Sequence, residues 1–258
     1  MLDWLISSSS PPRAPPAPSS SSSSSSRSPS PTPLLSPSLN NPLLASVAGA
    51  ATLAASYGIW HRYGRRIRTV DDLRPGDLSP RRLRGVVTRV GDADGFRLFH
   101  RPELRPLLKP PTGRAELTGE TLSVRLAGVD APEMAHFGKL EQPFAREAFD
   151  LLTKTLLNRR VTVEVFQKDR YNRAVANAYV RRWPNPLRRR SVSEILLEEG
   201  LATVYEQQGA VYGGRLAKLK VLETRARERQ RGMWALGGKL ESPAEYKRRY
   251  RGEKDAGL

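Results

Sequence analysis

The sequence contains no cysteine. That excludes a disulfide-held scaffold, a thiol nucleophile and a cysteine-ligated zinc site. Histidine is nearly as scarce: His61, His100 and His136 are scattered along the chain, so a multi-histidine metal centre is not expected. Acidic residues are also short, with 26 Asp and Glu against 43 Lys and Arg, for a net charge of +17. Charge of either sign is almost missing from the first sixty residues, where only Asp3, Arg13 and Arg27 carry it. Nearly all of the excess therefore sits in residues 61–258. Such a field is expected of a chain that meets a polyanion, either nucleic acid or an anionic lipid surface.

What is present divides unevenly. Residues 1–41 are a Ser/Pro-rich segment, with Ser19–Ser26 an unbroken run; it has little to bury and is expected to be disordered. It is acid-poor, as transit peptides are, although its two arginines are few for an amphipathic presequence. Residues 42–60 (PLLASVAGAATLAASYGIW) carry no charge and reach the roughly 17–25 residues that cross a bilayer. Tyr57 and Trp60 mark the boundary and a basic flank follows (His61, Arg62, Arg65, Arg66, Arg68), so one transmembrane helix anchored in lipid is expected. Six alanines weaken that expectation, because alanine is close to neutral for insertion. Residues 61–80 read as a basic linker.

From there the pattern turns to strands. Arg84–Val90 and Gly95–His100 are β-type runs around the turn Gly91-Asp92-Ala93-Asp94. Residues 101–119, rich in proline, form an inserted loop. Thr121–Ala127 alternates, Leu122, Val124 and Leu126 facing one way and Ser123 and Arg125 the other. A helix is signalled by Pro143, with Phe144, Ala148, Leu151, Leu152 and Leu156 at helical spacing. Val161–Gln167 and Ala174–Arg181 are two more strands. Ser191–Glu199 and Gly213–Arg231 read as helices, and 239–258 as a charged tail. Five strands with separated helices point to a small β-barrel with helices packed on it, an α+β plan.

Four stretches put acids and arginines where a fold does not require them: 91–95, 125–133, 169–173 and the arginine-rich 181–190. Together they supply what phosphodiester cleavage demands. Oxygen-only ligands such as Asp94 and Asp130 suit a hard ion, Ca²⁺ or Mg²⁺. A carboxylate such as Glu133 can orient or deprotonate a water. The guanidiniums of Arg125 and Arg173 match phosphate oxygens in paired hydrogen bonds and neutralise charge that grows in the transition state.

In this order the motifs are recognisable. From about Arg82 to Gly238 the chain resembles the staphylococcal-nuclease-like (thermonuclease) family. The resemblance is carried by Val-Gly-Asp-Ala-Asp-Gly (90–95), Val-Arg-Leu-Ala-Gly-Val-Asp-Ala-Pro-Glu (124–133), Asp-Arg-Tyr-Asn-Arg (169–173), Glu-Gly-Leu-Ala (199–202) and Arg-Gly-Met-Trp (231–234). Within the family it is similar to fungal membrane-anchored members of the mitochondrion, through residues 134–138, Gly-Leu-Ala-Thr-Val-Tyr-Glu (200–206) and Glu-Ser-Pro-Ala-Glu-Tyr-Lys (241–247).

The resemblance implies a five-stranded OB-fold barrel with three helices over residues 81–238. It implies Ca²⁺ held by Asp94, Asp130 and the backbone carbonyl of Ala131. Glu133 would act on the attacking water, and Arg125 and Arg173 on the phosphoryl group. Tyr171 matches a tyrosine that contacts a substrate phosphate, and Arg170 replaces a lysine there. Asn172 stands in place of a glycine, and asparagine tolerates positive φ. Tyr205 and Tyr212 lie near the place of the family's later tyrosine pair. The expected activity is a membrane-anchored, Ca²⁺-dependent endonuclease of the mitochondrion, acting on DNA or RNA, with no obligate protein partner. The alternative is an OB module that binds nucleic acid without cutting it.

Overall fold

The computed structural model describes residues 42–255, apart from 114, 136–139, 182–184, 186–187 and 240. The expected disorder of 1–41, most of the 134–138 run and the middle of the 181–190 loop lie outside the described residues. The chain divides into units Met1–Ala50 and Ala51–Leu258, and everything below concerns the second unless stated. In chain order the elements are α1 (Pro42–Ile59), β1 (Arg82–Asp92), β2 (Gly95–His100), β3 (Leu122–Leu126) and β4 (Val129–Asp130). Then come α2 (Ala145–Leu156), β5 (Arg160–Lys168), β6 (Ala174–Arg181), β7 (Arg189–Ser191) and α3 (Val192–Glu198). The chain closes with β8 (Thr203–Val204), α4 (Leu216–Glu228) and α5 (Pro243–Asp255).

Five strands form the barrel. The sheet order is β3-β2-β1-β5-β6, and β6 also pairs in parallel with β3, closing it. The alternation in β3 is realised: Leu122, Val124 and Leu126 are buried and Arg125 lies on the other face. Inside are Leu83, Val87, Leu98, Val163, Val165, Ala176 and Ala178, and α2, α3 and α4 add Leu152, Leu156, Leu196, Leu197 and Leu219. Each such leucine contributes roughly 1.5–3 kcal/mol by leaving water. The short strands β4, β7 and β8 were not legible, being two or three residues long. Helix α2 starts after Phe144 rather than at Pro143, because Phe144 takes a left-handed conformation with φ 67°.

Three segments differ from expectation. Residues 61–80 are not a linker: Ile67 and Val70 join the core, and buried Asp77 pairs with Arg65 and Arg81. The arginines that made this stretch look solvated are tied to the domain. Residues 239–258 are not simply a charged tail, since α5 docks through buried Tyr246. The third correction concerns the membrane anchor. Helix α1 forms where expected, but no helix among the described residues is long and apolar enough to cross a membrane. Six of its 18 residues are alanine, close to neutral for insertion, and the next five residues open into a π-helical turn. Anchorage through a transmembrane helix is therefore not supported.

Two of the sequence motifs prove to be structural. Gly200 has φ +68°, and a Cβ there would sit 2.1 Å from the Arg231 carbonyl oxygen; one on Gly232 would sit 2.4 Å from that of Gly200. Met233 N–H donates to the Gly200 carbonyl at 3.0 Å. Glu-Gly-Leu-Ala and Arg-Gly-Met-Trp are thus two backbones in direct contact. Gly200→Ala is expected to destabilise the domain by about 3 kcal/mol or more, combining left-handed strain with a backbone clash. Denaturant midpoints read this, and an unshifted midpoint would refute the contact.

His100, at the end of β2, is buried among the arginines of the 61–81 segment. Its Nδ1 accepts the Ile67 N–H at 3.0 Å, so the ring is held neutral with its proton on Nε2. Burial first, then the charge of Arg81, pushes its pKa down from 6.5 to about 4. As pH falls below 6.5 the unfolded chain takes up the proton before the folded one does. This contribution is therefore complete above 6.5 and drains away toward pH 4, a loss of about 3 kcal/mol. Denaturant titrations across this window should show the loss in the wild type and a shallower one in His100→Gln.

Candidate active site

The site begins at the β1–β2 hairpin. Asp94 is the second residue of its two-residue turn, and its carbonyl accepts the Leu126 N–H at 2.9 Å, tying the turn to the end of β3. In the β2–β3 register Gly95 lies opposite Arg125, so the turn's carboxylate and the guanidinium rise side by side. Arg125 Nε donates to Asp94 Oδ2 at 3.2 Å, and Nη2 donates to Asp130 Oδ1 at 3.4 Å. The guanidinium lies 4.9 Å from the centre of the Tyr205 ring, a cation–π contact. Burial disfavours its charge, but Asp94 and Asp130 outweigh burial and raise its pKa, so it stays cationic.

Asp130 ends β4, held by the β4–β8 pairing and by Thr203 Oγ1, which donates to its carbonyl at 3.3 Å. Its side chain is 1% exposed, and Oδ2 is buried with no hydrogen-bond partner among the described residues. Burial is the main reason its pKa is raised; neighbouring Asp94 adds to it, while Lys247 and Arg125 oppose it. Three residues on, Glu133 is the open member of the group, with a side chain 40% exposed. Its backbone is clamped by buried Gln142: Glu133 N–H donates to Gln142 Oε1 at 2.9 Å, and Gln142 N–H donates to the Glu133 carbonyl at 3.0 Å.

The β5–β6 loop carries the second cluster. Asp169 Oδ1 accepts the N–H groups of Tyr171 and Arg173 at 2.8 and 2.9 Å, and its Oδ2 accepts Arg173 Nε at 2.8 Å. Burial alone would raise the Asp169 pKa, but these bonds reverse it and hold it low. Asn172 takes the left-handed turn with φ 58°, as its place in the motif implies. Arg170 and Arg173 flank the exposed Tyr171 ring at 4.9 and 5.4 Å. A groove of about 480 Å³ joins this loop to the first cluster, lined by Arg125, Asp169, Arg170, Tyr171 and Tyr205. The inserted 101–119 loop does not line it; its residues border two other clefts.

Beside the groove, Asp94, Ala131 and Glu133 line a recess of about 10 Å³. Among the described residues no three acidic, histidine or cysteine side chains form a metal cluster. The donors that are present are nevertheless all oxygen, and the orphan Asp130 Oδ2 has its charge only partly compensated. Such donors fit a hard divalent cation supported by a backbone carbonyl and water.

The structure thus brings together Asp94, Arg125, Asp130, Ala131 and Glu133, with Arg170 and Tyr171 along the same groove. Arg173 is paired with Asp169 of its own loop. Sequence reasoning missed Gln142, a lone amide with no motif signal, and Lys247 of α5. Lys247 Nζ lies 2.6 Å from Asp130 Oδ1 and 2.8 Å from Glu133 Oε1. Burial disfavours its charge, but the carboxylates of Asp130, Glu133 and Asp94 prevail and raise its pKa. Of the two tyrosines noted near the later family position, Tyr205 stacks on Arg125, and the Tyr212 hydroxyl donates to the Tyr205 carbonyl at 2.7 Å.

Comparison with known proteins identifies the family. The family model described as staphylococcal nuclease homologue matches residues 123–236. A protein of Pyrenophora tritici-repentis named probable endonuclease lcl3 is 43% identical, covering 81% of this chain and 83% of its own length. Probable endonuclease LCL3 of Clavispora lusitaniae is 45% identical over 80% of this chain and 90% of that protein. The protein of that name in Pyricularia oryzae is 42% identical over 77% and 79%. With barrel and relatives in agreement, the chain belongs to the staphylococcal nuclease homologue family.

Proposed function

We propose that this chain is a Ca²⁺-dependent endonuclease that hydrolyses phosphodiester bonds of DNA or RNA. The observation that carries this reading is the Arg125 guanidinium, fixed between Asp94 and Asp130 at the mouth of the groove, with the exposed carboxylate of Glu133 beside it. The names of its relatives as probable endonucleases support it. So does the +17 charge, which draws a polyanion toward the groove.

The roles follow from chemistry. Arg125 is held rigid by two carboxylates and an aromatic face, so it meets the phosphoryl oxygens without reorganising. Glu133 reaches solvent and accepts the proton of the attacking water as the new oxygen–phosphorus bond forms and the bond to the leaving sugar oxygen breaks, that oxygen taking its proton from solvent. Arg173 and Arg170, oriented by the Asp169 loop, face the charge of the strand, and Tyr171 offers its hydroxyl and ring to substrate. Asp94, Asp130 and the Ala131 carbonyl are the residues that would hold the cation. When bound, Ca²⁺ supplies positive charge against the phosphoryl oxygens and steadies the attacking water.

The test uses the full chain and an end-labelled single-stranded DNA, incubated with Ca²⁺, with Mg²⁺ and with a chelator. Ca²⁺-dependent internal cuts that vanish with chelator are expected. Tight binding without cuts under any cation would replace the endonuclease with a binding module. The proposal also includes a mitochondrial address, supported by the acid-poor Ser/Pro-rich amino terminus. A fluorescent reporter fused to residues 1–60 should reach mitochondria, and a diffuse cytosolic signal would remove the address.

A further inference from the structure

The run Glu-Ser-Pro-Ala-Glu-Tyr-Lys (241–247) has no part in the chemistry above, yet it folds onto the site. Its helix starts with a reciprocal cap: Ser242 N–H donates to Glu245 Oε2 at 2.9 Å, and Glu245 N–H donates to Ser242 Oγ at 3.3 Å. Tyr246 is buried and its hydroxyl donates to the Leu140 carbonyl. Gln142, which clamps the Glu133 backbone, also reaches the Glu241 carbonyl with Nε2 at 3.4 Å. These contacts deliver Lys247 to the site, where one ammonium bridges Asp130 and Glu133 at 2.6 and 2.8 Å. It therefore neutralises a residue that would hold the cation and the residue that would take the water's proton.

We propose that Lys247 is a built-in cation that competes with the divalent ion for Asp130 while masking Glu133, so that α5 must yield before the site loads. This rests on the Ca²⁺ reading above. An ammonium and a Ca²⁺ ion repel one another, and both would draw on the one Asp130 carboxylate, so they exclude each other. Lys247 thereby sets the cation affinity of the enzyme.

The test compares the wild type with Lys247→Gln and Lys247→Arg in the full chain, without nucleic acid. Isothermal titration calorimetry reads Ca²⁺ binding, and amide hydrogen exchange reads residues 243–255 with and without Ca²⁺. Lys247→Gln should bind Ca²⁺ about 10- to 100-fold more tightly, the range over which groups around a metal's ligands tune its affinity. Lys247→Arg should stay near the wild type, and Ca²⁺ should speed exchange across α5 in the wild type. Unchanged or weaker affinity in Lys247→Gln overturns the proposal, as does protection of α5 that is the same with Ca²⁺ as without. If affinity is unchanged while Ca²⁺-dependent cleavage persists, Lys247 alone loses its role. If none of the three chains binds Ca²⁺, the metal reading falls as well.

An independent observation lies at the other end of β6. In the sheet register Arg84 faces Thr162, Thr162 faces Tyr179, Val86 faces Arg160 and Arg181 faces Arg189. Because alternate residues share a face, Arg84, Arg160, Arg181 and Arg189 project from one side of the sheet. With Arg101 they line a cleft of about 140 Å³ in which Glu103 is the only acid among the described residues. Burial and the charge of Arg160 pull the Arg101 pKa down; burial, Arg84, Arg82 and Arg181 do the same to Arg189. The fold thus gathers like charges with too little counter-charge of its own.

We infer that this cleft grips phosphates of the same nucleic-acid strand that is cut at Arg125, an inference that rests on the nucleic-acid reading. Val175, which pairs with Arg125, and Arg181 lie on the same face of β6, about 20 Å apart at strand rise. Between them Asn177 and Tyr179 are buried under neighbouring elements, so a strand leaving the groove passes over that cover to reach the arginines. The test measures fluorescence anisotropy of a labelled oligonucleotide long enough to span both clefts, in chelator, for the wild type and for Arg84→Ser with Arg189→Ser. Affinity should fall, and the slope of log K against log salt should shrink by about 0.7 for each single-strand phosphate that the variant no longer neutralises. Cleavage of a dinucleotide ester should suffer less than cleavage of the long strand. An unchanged slope, or equal losses on both substrates, overturns the inference. If the wild type binds no oligonucleotide, the nucleic-acid reading fails with it.

Discussion

Glu133→Gln should lower kcat by about 10²- to 10⁴-fold, the share that a positioned general base supplies. The substitution is close to isosteric, and the geometry says the scaffold will tolerate it. The loop around Glu133 is held through its backbone by Gln142, and these bonds do not involve the carboxylate. The side chain is 40% exposed, so an amide in its place meets water rather than a dry interior. What changes is the capacity to take a proton. Gln keeps an oxygen that can accept from Lys247 but loses the charge of that pair, which leaves Asp130 as the ammonium's ionised partner. Two measurements separate chemistry from binding: single-turnover cleavage under Ca²⁺, and oligonucleotide affinity in chelator. The rate should collapse while the affinity stays within a few-fold of the wild type. A variant that cuts at the wild-type rate would take Glu133 out of the mechanism.

The chemistry of this site was legible in the sequence because it comes from neighbours along the chain. Arg125 interrupts the apolar alternation of β3, and Asp130 and Glu133 follow just past the strand's end. A charge in such places needs a reason other than packing. Asp94 was legible as a turn aspartate, and only the β2–β3 register makes it a partner of Arg125. Lys247 was not legible. It sits among other charges in a polar helix, and its function depends on where α5 docks, which no local pattern encodes. The same holds for residues 61–80, where Ile67 and Val70 are isolated apolar residues among arginines. There the fold was decided by long-range contacts, Asp77 with Arg65 and Arg81 and the His100 ring with the Ile67 amide. Gly200 and Gly232 show the opposite case: two motifs read as signatures of a nuclease turn out to be a backbone contact.

Arg125→Lys preserves the charge and should still cost about 10²-fold or more in kcat, as removal of an oriented transition-state donor does. Arg125 serves two carboxylates at once, with Nε on Asp94 and Nη2 on Asp130, while its plane stacks on Tyr205. A lysine ammonium is a single point on a flexible stem, without the fork that matches two phosphoryl oxygens. It can satisfy Asp94 or Asp130, and neither choice leaves donors fixed toward substrate. Asp130 remains paired with Lys247 in the variant, so the domain should fold and thermal unfolding should move little. The kinetic signature is specific: kcat and kcat/KM should fall together, with KM nearly unchanged, because the missing interaction forms only in the transition state. A rise in KM with kcat intact would instead make Arg125 a binding residue, leaving the growing charge to Arg173. In that event Arg173→Lys should show the collapse of kcat expected here for Arg125→Lys. The two variants, measured side by side, assign the phosphoryl charge to one guanidinium or the other.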